Sequence, residues 1–318
     1  MCPLRTFCKT VTHYGEKLSR MTKRPALRPD TPLDQALVTV ARDILTTARD
    51  AISDPAREAD KAIHDFRKSI KRWRSFLRLI QPHFGDGADN LRASARDTAK
   101  KLGDARDLRS TLDAVEDIRE GAYELNERAL ETIRSRIREL QHAAEKQGIS
   151  PADRAEIANE VSRWLSTISL WPFSGIEFRE ISESLTEGYR RARKAMPENW
   201  AEAGEEELHE FRRRTIDHRY QMEFFEPLWP RMAKIWVDEA QRLRDALGQY
   251  RDLTLLQLMA GPHQPLARFR SRLTPAIARR QNDHLAQAAK IAARVFAEKP
   301  KAFQTRMDTL WRAGSDED

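Results

Sequence analysis

Two stretches of this chain keep the same distance to two others, and that distance limits the folds open to it. HDFRKSIKRWRSFLRLIQP, starting at His64, is similar to HEFRRRTIDHRYQMEFFEP, starting at His209. KLGDARDL, ending at Leu108, is similar to ALGQYRDL, ending at Leu253. Both pairs are 145 residues apart. An ungapped comparison of 64–108 with 209–253 pairs Phe66 with Phe211, Arg67 with Arg212, Arg74 with Arg219, Pro82 with Pro227 and Gly103 with Gly248. Two separate motifs held in one register point to an internal duplication, in which both halves adopt the same local structure.

The repeated unit reads as helical. Thr31-Pro32, Asp54-Pro55 and Ser150-Pro151 each place a capping residue before a first-turn proline, and Asp34, Glu58 and Asp153 follow where the helix dipole favours acids. Breaks fall at Gln81–Gly87, Gly148, Trp171–Gly175, Pro197–Gly204, Glu226–Pro230 and Gly261–Pro265. Between them the pattern predicts helices near 32–51, 55–81, 88–118, 122–147, 151–168, 176–195, 205–226, 230–260, 265–297 and 300–312. The expected fold is therefore all-α: two pseudo-symmetric helical bundles, a first repeat over about 30–150, connecting helices over about 151–175 and a second repeat over about 176–312. Residues 1–29 are expected to form a disordered tail, with Met21 an equally good start, and 313–318 a short acidic one.

Charge narrows the function. The excess of 56 Lys and Arg over 49 Asp and Glu is only +7, so anion binding requires clustering rather than bulk charge. Cys2 and Cys8 supply neither a disulfide framework nor a metal-ligand spacing, which suits a reducing compartment. No apolar run approaches a membrane span of about 18 residues, and no secretory signal is written at the start, so a cytoplasmic protein is expected. There is no GxxxxGK[ST] loop, no zinc spacing and no context for a Ser/His/Asp set; the sequence calls for no metal and no cofactor.

Clustering is found on the first motif helix. His64, Arg67, Lys71, Arg74 and Arg78 fall within roughly 80° of one face, flanked by Lys68 and Arg72, while Phe66, Ile70, Trp73, Leu77 and Ile80 take the opposite one. A solvated face ordinarily mixes charges, since like pairs at i,i+4 cost about 0.2–0.5 kcal/mol each; this stripe holds no acid. A polyanion would neutralise it. The second motif repeats His209, Arg212 and Arg219 and adds Arg213, but has Ile216 and Asp217 where the first has Lys71 and Arg72, so the two halves offer unequal basic faces. Arg190, Arg193 and Lys194 form a third basic cluster, also without an acid among them. Gly103 and Gly248, inside helices at about 1 kcal/mol each, suggest close helix approach. Asp107 and Asp252 either orient a motif side chain or pair locally. The two histidines read as donors to phosphate or as buried structural groups.

The duplicated HxxR helices, each followed by an LGxxRDL segment, resemble the CHAD family, the conserved-histidine α-helical domain. His64, Arg67, Lys71, Arg72 and Arg74 match its first motif, and His209, Arg212, Arg219 and Tyr220 the second, with Arg193 and Lys194 in the basic segment ahead of it. The likeness covers about 32–312. It implies two four-helix bundles around a basic central cavity, non-enzymatic binding of inorganic polyphosphate by these side chains, and association with polyphosphate granules. Ile216 and Asp217 depart from the pattern. Two alternatives remain at this level. One is a nucleic-acid-binding (RNA) protein, although Phe66 and Trp73 lie on the apolar face and not among the cations where bases would stack. The other is an accessory module of phosphate-anhydride metabolism, for which no clustered carboxylates are present to hold Mg²⁺.

Overall fold

The computed structural model describes residues 26–102, 105–121, 126–145 and 149–315. Among them are ten α-helices and no strand: α1 (Leu33–Ser53), α2 (Ala59–Lys100), α3 (Ala105–Glu120), α4 (Glu127–Glu145), α5 (Pro151–Ile168), α6 (Phe178–Lys194), α7 (Glu205–Phe224), α8 (Pro230–Met259), α9 (Arg270–Val295) and α10 (Pro300–Ser315). No helix among the described residues is long and apolar enough to cross a membrane. The capping box at Ser150 forms as the sequence indicates, with the Ser150 side chain accepting from the Asp153 N–H and the Asp153 carboxylate from the Ser150 N–H, both at 3.1 Å.

Three elements differ from expectation. Asp54 does not start a helix; its carboxylate accepts from the Ala56 N–H at 3.0 Å, closing a turn, and α2 begins at Ala59. The helix expected over 88–118 is interrupted after Lys100 and resumes at Ala105 as α3. The break near 85 is a reversal inside α2, where Gly85 takes φ +45°, a left-handed conformation open to glycine. Arg67 Nη1 donates to the Leu102 carbonyl at 2.8 Å. A straight helix would hold residues 35 apart about 52 Å from each other. α2 is thus a helical hairpin, and α7 and α8 form another across the 3₁₀ turn Glu226–Leu228.

The helix spacing recurs. A shift of 145 carries Leu33–Ser53 onto 178–198, where α6 lies, and Glu127–Glu145 onto 272–290, within α9. Hydrophobic contacts do not follow the chain order, however. One cluster packs Leu37, Ile44, Trp73 and Ile80 with Phe211, Phe224, Leu247 and Phe296. A second joins Val115 and Ile118 of α3 and Ile133 and Ile137 of α4 to Leu256 of α8 and Ile277 of α9. A buried polar bridge connects the same helices: the Asp117 carboxylate takes His284 Nε2 at 2.6 Å and Arg280 Nε and Nη2 at 3.0 and 2.7 Å. Burial pushes the Asp117 carboxyl up, but those hydrogen bonds outweigh it and hold it below the usual range.

His218 sits fully inside the first cluster, against the rings of Tyr189, Phe296 and Phe303, and neither ring nitrogen has a hydrogen-bond partner among the described residues. Burial, with a smaller push from Arg306, drives its pKa down to about 3. Above about pH 6.5 the ring is neutral folded or unfolded. Below that, only the unfolded chain takes the proton until pH falls to about 3, so stability is lost through that window. His218→Leu should flatten the fall in unfolding free energy between pH 6.5 and 4 by up to about 1.4 kcal/mol per pH unit relative to wild type, measured by urea denaturation.

The first limb of α2 crosses α7 directly. Ser75 Oγ donates to Asp217 Oδ1 at 3.0 Å, and Gln221 Nε2 donates to the Ser75 carbonyl at 3.3 Å. Arg78 Nη1 lies 2.5 Å from Asp217 Oδ1, and Arg72 Nε lies 3.7 Å from Glu223 Oε2. In the 145-residue register Arg72 matches Asp217 and Arg78 matches Glu223. The same contact is therefore made twice with the charges exchanged, as across a two-fold axis. Arg78→Met or Asp217→Leu alone should destabilise the protein by roughly 2–4 kcal/mol, because each strands a partly buried charge, while the double substitution should recover most of the loss. Strictly additive single effects in a denaturation cycle would rule out this coupling.

Candidate anion-binding site

The reversal at Gly85 decides which cations meet. Arg78 and Arg92 each stand seven residues from it, and Arg74 and Arg96 each eleven, so the hairpin brings them together from its two limbs. The guanidinium of Arg74 has a pKa below its ordinary value, first through burial and then through repulsion from Arg78, Arg92 and Arg96, against the pull of Asp217. Arg78 is lowered too, by burial first; Asp217 opposes, and Arg92, Arg214 and Arg213 add repulsion. Several of these charges have acids beside them: Arg92 is 2.8 Å from Asp89, Arg96 is 2.9 Å from Asp97, and Arg213 and Arg214 each lie 2.7 Å from Glu210. Arg74 has no ion-pair partner among the described residues, and its buried Nε has no hydrogen-bond acceptor there.

The cations continue along α7. His209 is half-buried, and its pKa is held down by burial and then by Arg251, Arg213 and Arg212, with Glu206 opposing. Arg213 acts on both Arg78 and His209, so Arg96, Arg74, Arg78, Arg213, His209 and Arg251 form one connected field across α2, α7 and α8. Cations gathered in this number, with Asp89, Asp97 and Glu210 among them, still leave Arg74 without an acid among the described residues, an arrangement that suits an anion.

The other predicted residues divide among different tasks. His64 and Lys68 are exposed on the first limb of α2, and Lys71 is half-buried there. Arg67 closes the α2 hairpin through Leu102, and the guanidinium of Arg212 lies 3.5 Å from where a Cβ on Gly248 would stand. The close approach anticipated at Gly248 is thus to a side chain, at ordinary van der Waals distance. Arg72 and Arg219 converge on Glu223, the latter at 2.7 Å, and lie over the rings of Phe224 and Tyr220. Tyr220 itself is buried, which raises its pKa. Arg72 and Arg219 thus meet at Glu223 in the α2–α7 crossing. The stripe read as free of acid receives two acids from α7, and Asp217, which looked like a defect in the second motif, is the partner of Arg78. On α6, Arg190 pairs with Glu187, Arg193 is half-buried near Tyr189, and Lys194 is exposed, so this cluster also has an acid beside it. Asp252 is half-buried on α8; Gly103 and the Asp107 side chain lie outside the described residues.

Sequence reasoning passed over Arg92 and Arg96 as members of the field; Arg214, like Arg213, reads in the sequence as added charge near the second motif. The one available signal was the equal spacing of 74/96 and 78/92 about Gly85, which acquires meaning only once the chain turns back there. Among the described residues no group of three or more His, Cys, Asp or Glu is placed to hold a metal ion.

Comparison with known proteins bears on this arrangement. A crystal structure of the CHAD domain from the plant Ricinus communis superposes with a TM-score of 0.56 at 20% identity, covering 93% of this chain and 96% of that one, which shows a shared fold. No curated protein sequence matches the chain. The CHAD domain family itself matches residues 35–261, from α1 to the end of α8, taking in both motif helices and the crossing between them. By that match, over most of its length, the chain belongs to the CHAD family.

Proposed function

We propose that this protein is a non-enzymatic binder of inorganic polyphosphate, which lies along the connected cations of α2, α7 and α8. The observation that carries the reading is Arg74: a half-buried guanidinium without an acid partner among the described residues, surrounded by Arg78, Arg92 and Arg96. A phosphate chain offers one negative charge per unit and no bases, so cations in a row satisfy it without aromatic platforms, and the paired oxygens of each phosphate suit arginine's fork. Phe66 and Trp73 of the first motif helix are fully buried, away from the cations where bases would stack, which supports polyphosphate over single-stranded nucleic acid. Membership of the CHAD family agrees with this reading, as does the placement of His209 beside three arginines. Residence on polyphosphate granules in the cytoplasm is the localisation that follows from it.

Calorimetric titration with long-chain polyphosphate, against single-stranded RNA at the same salt, tests the proposal. Binding should favour polyphosphate and weaken steeply as salt rises. Arg74→Gln with Arg96→Gln should reduce affinity at least ~10-fold, from the loss of two charge-assisted contacts. Neither residue braces the fold as Arg67 does through Leu102, so these variants separate binding from stability. RNA affinity equal to or above that for polyphosphate would overturn the reading. A bound anion raises the pKa of His209 from its lowered value, so affinity should increase as pH falls from 7 to 6, and His209→Gln should reduce that dependence.

A further inference from the structure

Glu210 stands inside the connected cations and holds two of them. Its Oε1 accepts from Arg214 Nε and its Oε2 lies against Arg213 Nη2, each at 2.7 Å. Asp89 and Asp97 hold one arginine each, Arg92 and Arg96. The position 145 residues before Glu210 is Asp65, also an acid, but its carboxylate takes Arg57 Nη1 at 3.1 Å, from the segment before α2. Lys68 and Ser69 stand where the second motif has Arg213 and Arg214, so the clasp on two arginines is particular to α7. The side chains of Glu210 and Arg214 are only 29% and 25% exposed, which shields their contact from solvent better than an ordinary surface pair. Arg213 and Arg214 both repel Arg78, and Arg213 also repels His209, so the clasp borders the field on its α7 side.

We propose that Glu210 is a specificity-determining residue, which makes the site select long phosphate chains over short phosphates. This rests on the polyphosphate reading above and names how that site discriminates among its ligands. An anion that takes Arg213 and Arg214 must first displace the Glu210 carboxylate. A short phosphate that makes those two contacts breaks two charge-assisted contacts of the same kind, so it gains little. A long chain has a second foothold at Arg74, which has no acid partner among the described residues. Held there, it presents its other phosphates to the clasp at high local concentration, and the exchange at Glu210 becomes an intramolecular step. The carboxylate is a resident competitor that several linked phosphates displace and a single short one does not.

The test is calorimetric titration of the full chain and of Glu210→Gln with pyrophosphate and with long-chain polyphosphate, at one ionic strength. Glu210→Gln should strengthen pyrophosphate binding about tenfold, through loss of the competing charge-assisted contacts, and long-chain binding much less, so the ratio of the two affinities narrows. Asp65→Asn adds the same charge at the matching position of the first motif and should leave that ratio unchanged. An unaltered urea midpoint reports that each variant is folded. Weaker pyrophosphate binding by Glu210→Gln overturns the proposal, since the carboxylate then braces the arginines for the ligand. An equal rise for both ligands overturns it too, as does a ratio narrowed to the same extent by Asp65→Asn. If the wild-type chain binds no long-chain polyphosphate, the functional reading fails and takes this inference with it. If it binds the chain and the ratio holds in Glu210→Gln, only the role of Glu210 fails.

Discussion

The crossing of α2 with α7 is the contact on which the arrangement of this protein rests. It sets position 72 against 223 and position 78 against 217, at side-chain exposures of 5–22%. Had the second motif kept arginine where the first has it, four guanidinium groups would face one another in partial burial, with no water to spread their charge. Asp217 and Glu223 remove that conflict, and Ser75 and Gln221 complete the polar contacts at the centre. A helix rich in cations can then pack against its counterpart and still present others outward. The asymmetry of the two motifs is thus a condition of their contact.

Once Arg72 and Arg78 are engaged in that crossing, the outward charge has to come from elsewhere. It comes from the returning limb of α2, through Arg92 and Arg96, and from Arg213, His209 and Arg251 along α7 and α8. Arg74 is the hinge of this distribution, half-buried beside the neutralised interface and without an acid partner among the described residues. The residues of the two motifs therefore do separate things here: Arg67 closes the α2 hairpin, Arg72 and Arg219 meet at Glu223 in the crossing, and Arg74 and His209 belong to the connected cations.

Much of the helical layout was legible because its signals are local. Ser150, Pro151 and Asp153 announce α5 through their own hydrogen bonds, and the 3.6-residue period of Phe66, Ile70, Trp73 and Leu77 declares a buried face wherever that face goes. The reversal in α2 was legible only as a break at 81–87, since glycine permits a left-handed turn without specifying the direction of the returning chain. The site was half legible for a related reason. A helical wheel sorts the side chains of one helix, and it placed Arg74 correctly on a polar face. It holds no information about the acids that another helix brings to Arg72 and Arg78, nor about Arg92 and Arg96, which reach the field from beyond a turn. Tyr220 illustrates the same limit: its motif position marks it for a ligand, and only the structure shows that it is buried with Arg219 over its ring.

The second hydrophobic cluster carries a consequence for synthesis. α3 and α4 leave the ribosome early, yet Val115, Ile118, Ile133 and Ile137 find their apolar partners on α8 and α9, and Asp117 waits for Arg280 and His284 more than 160 residues later. Until those helices are made, the nascent chain carries an uncovered apolar face and an unmatched carboxylate. Loop closure over that length is slow compared with the formation of the α2 hairpin, whose ends meet within 35 residues. The second cluster is therefore completed only when α8 and α9 are made, so this part of the fold closes late.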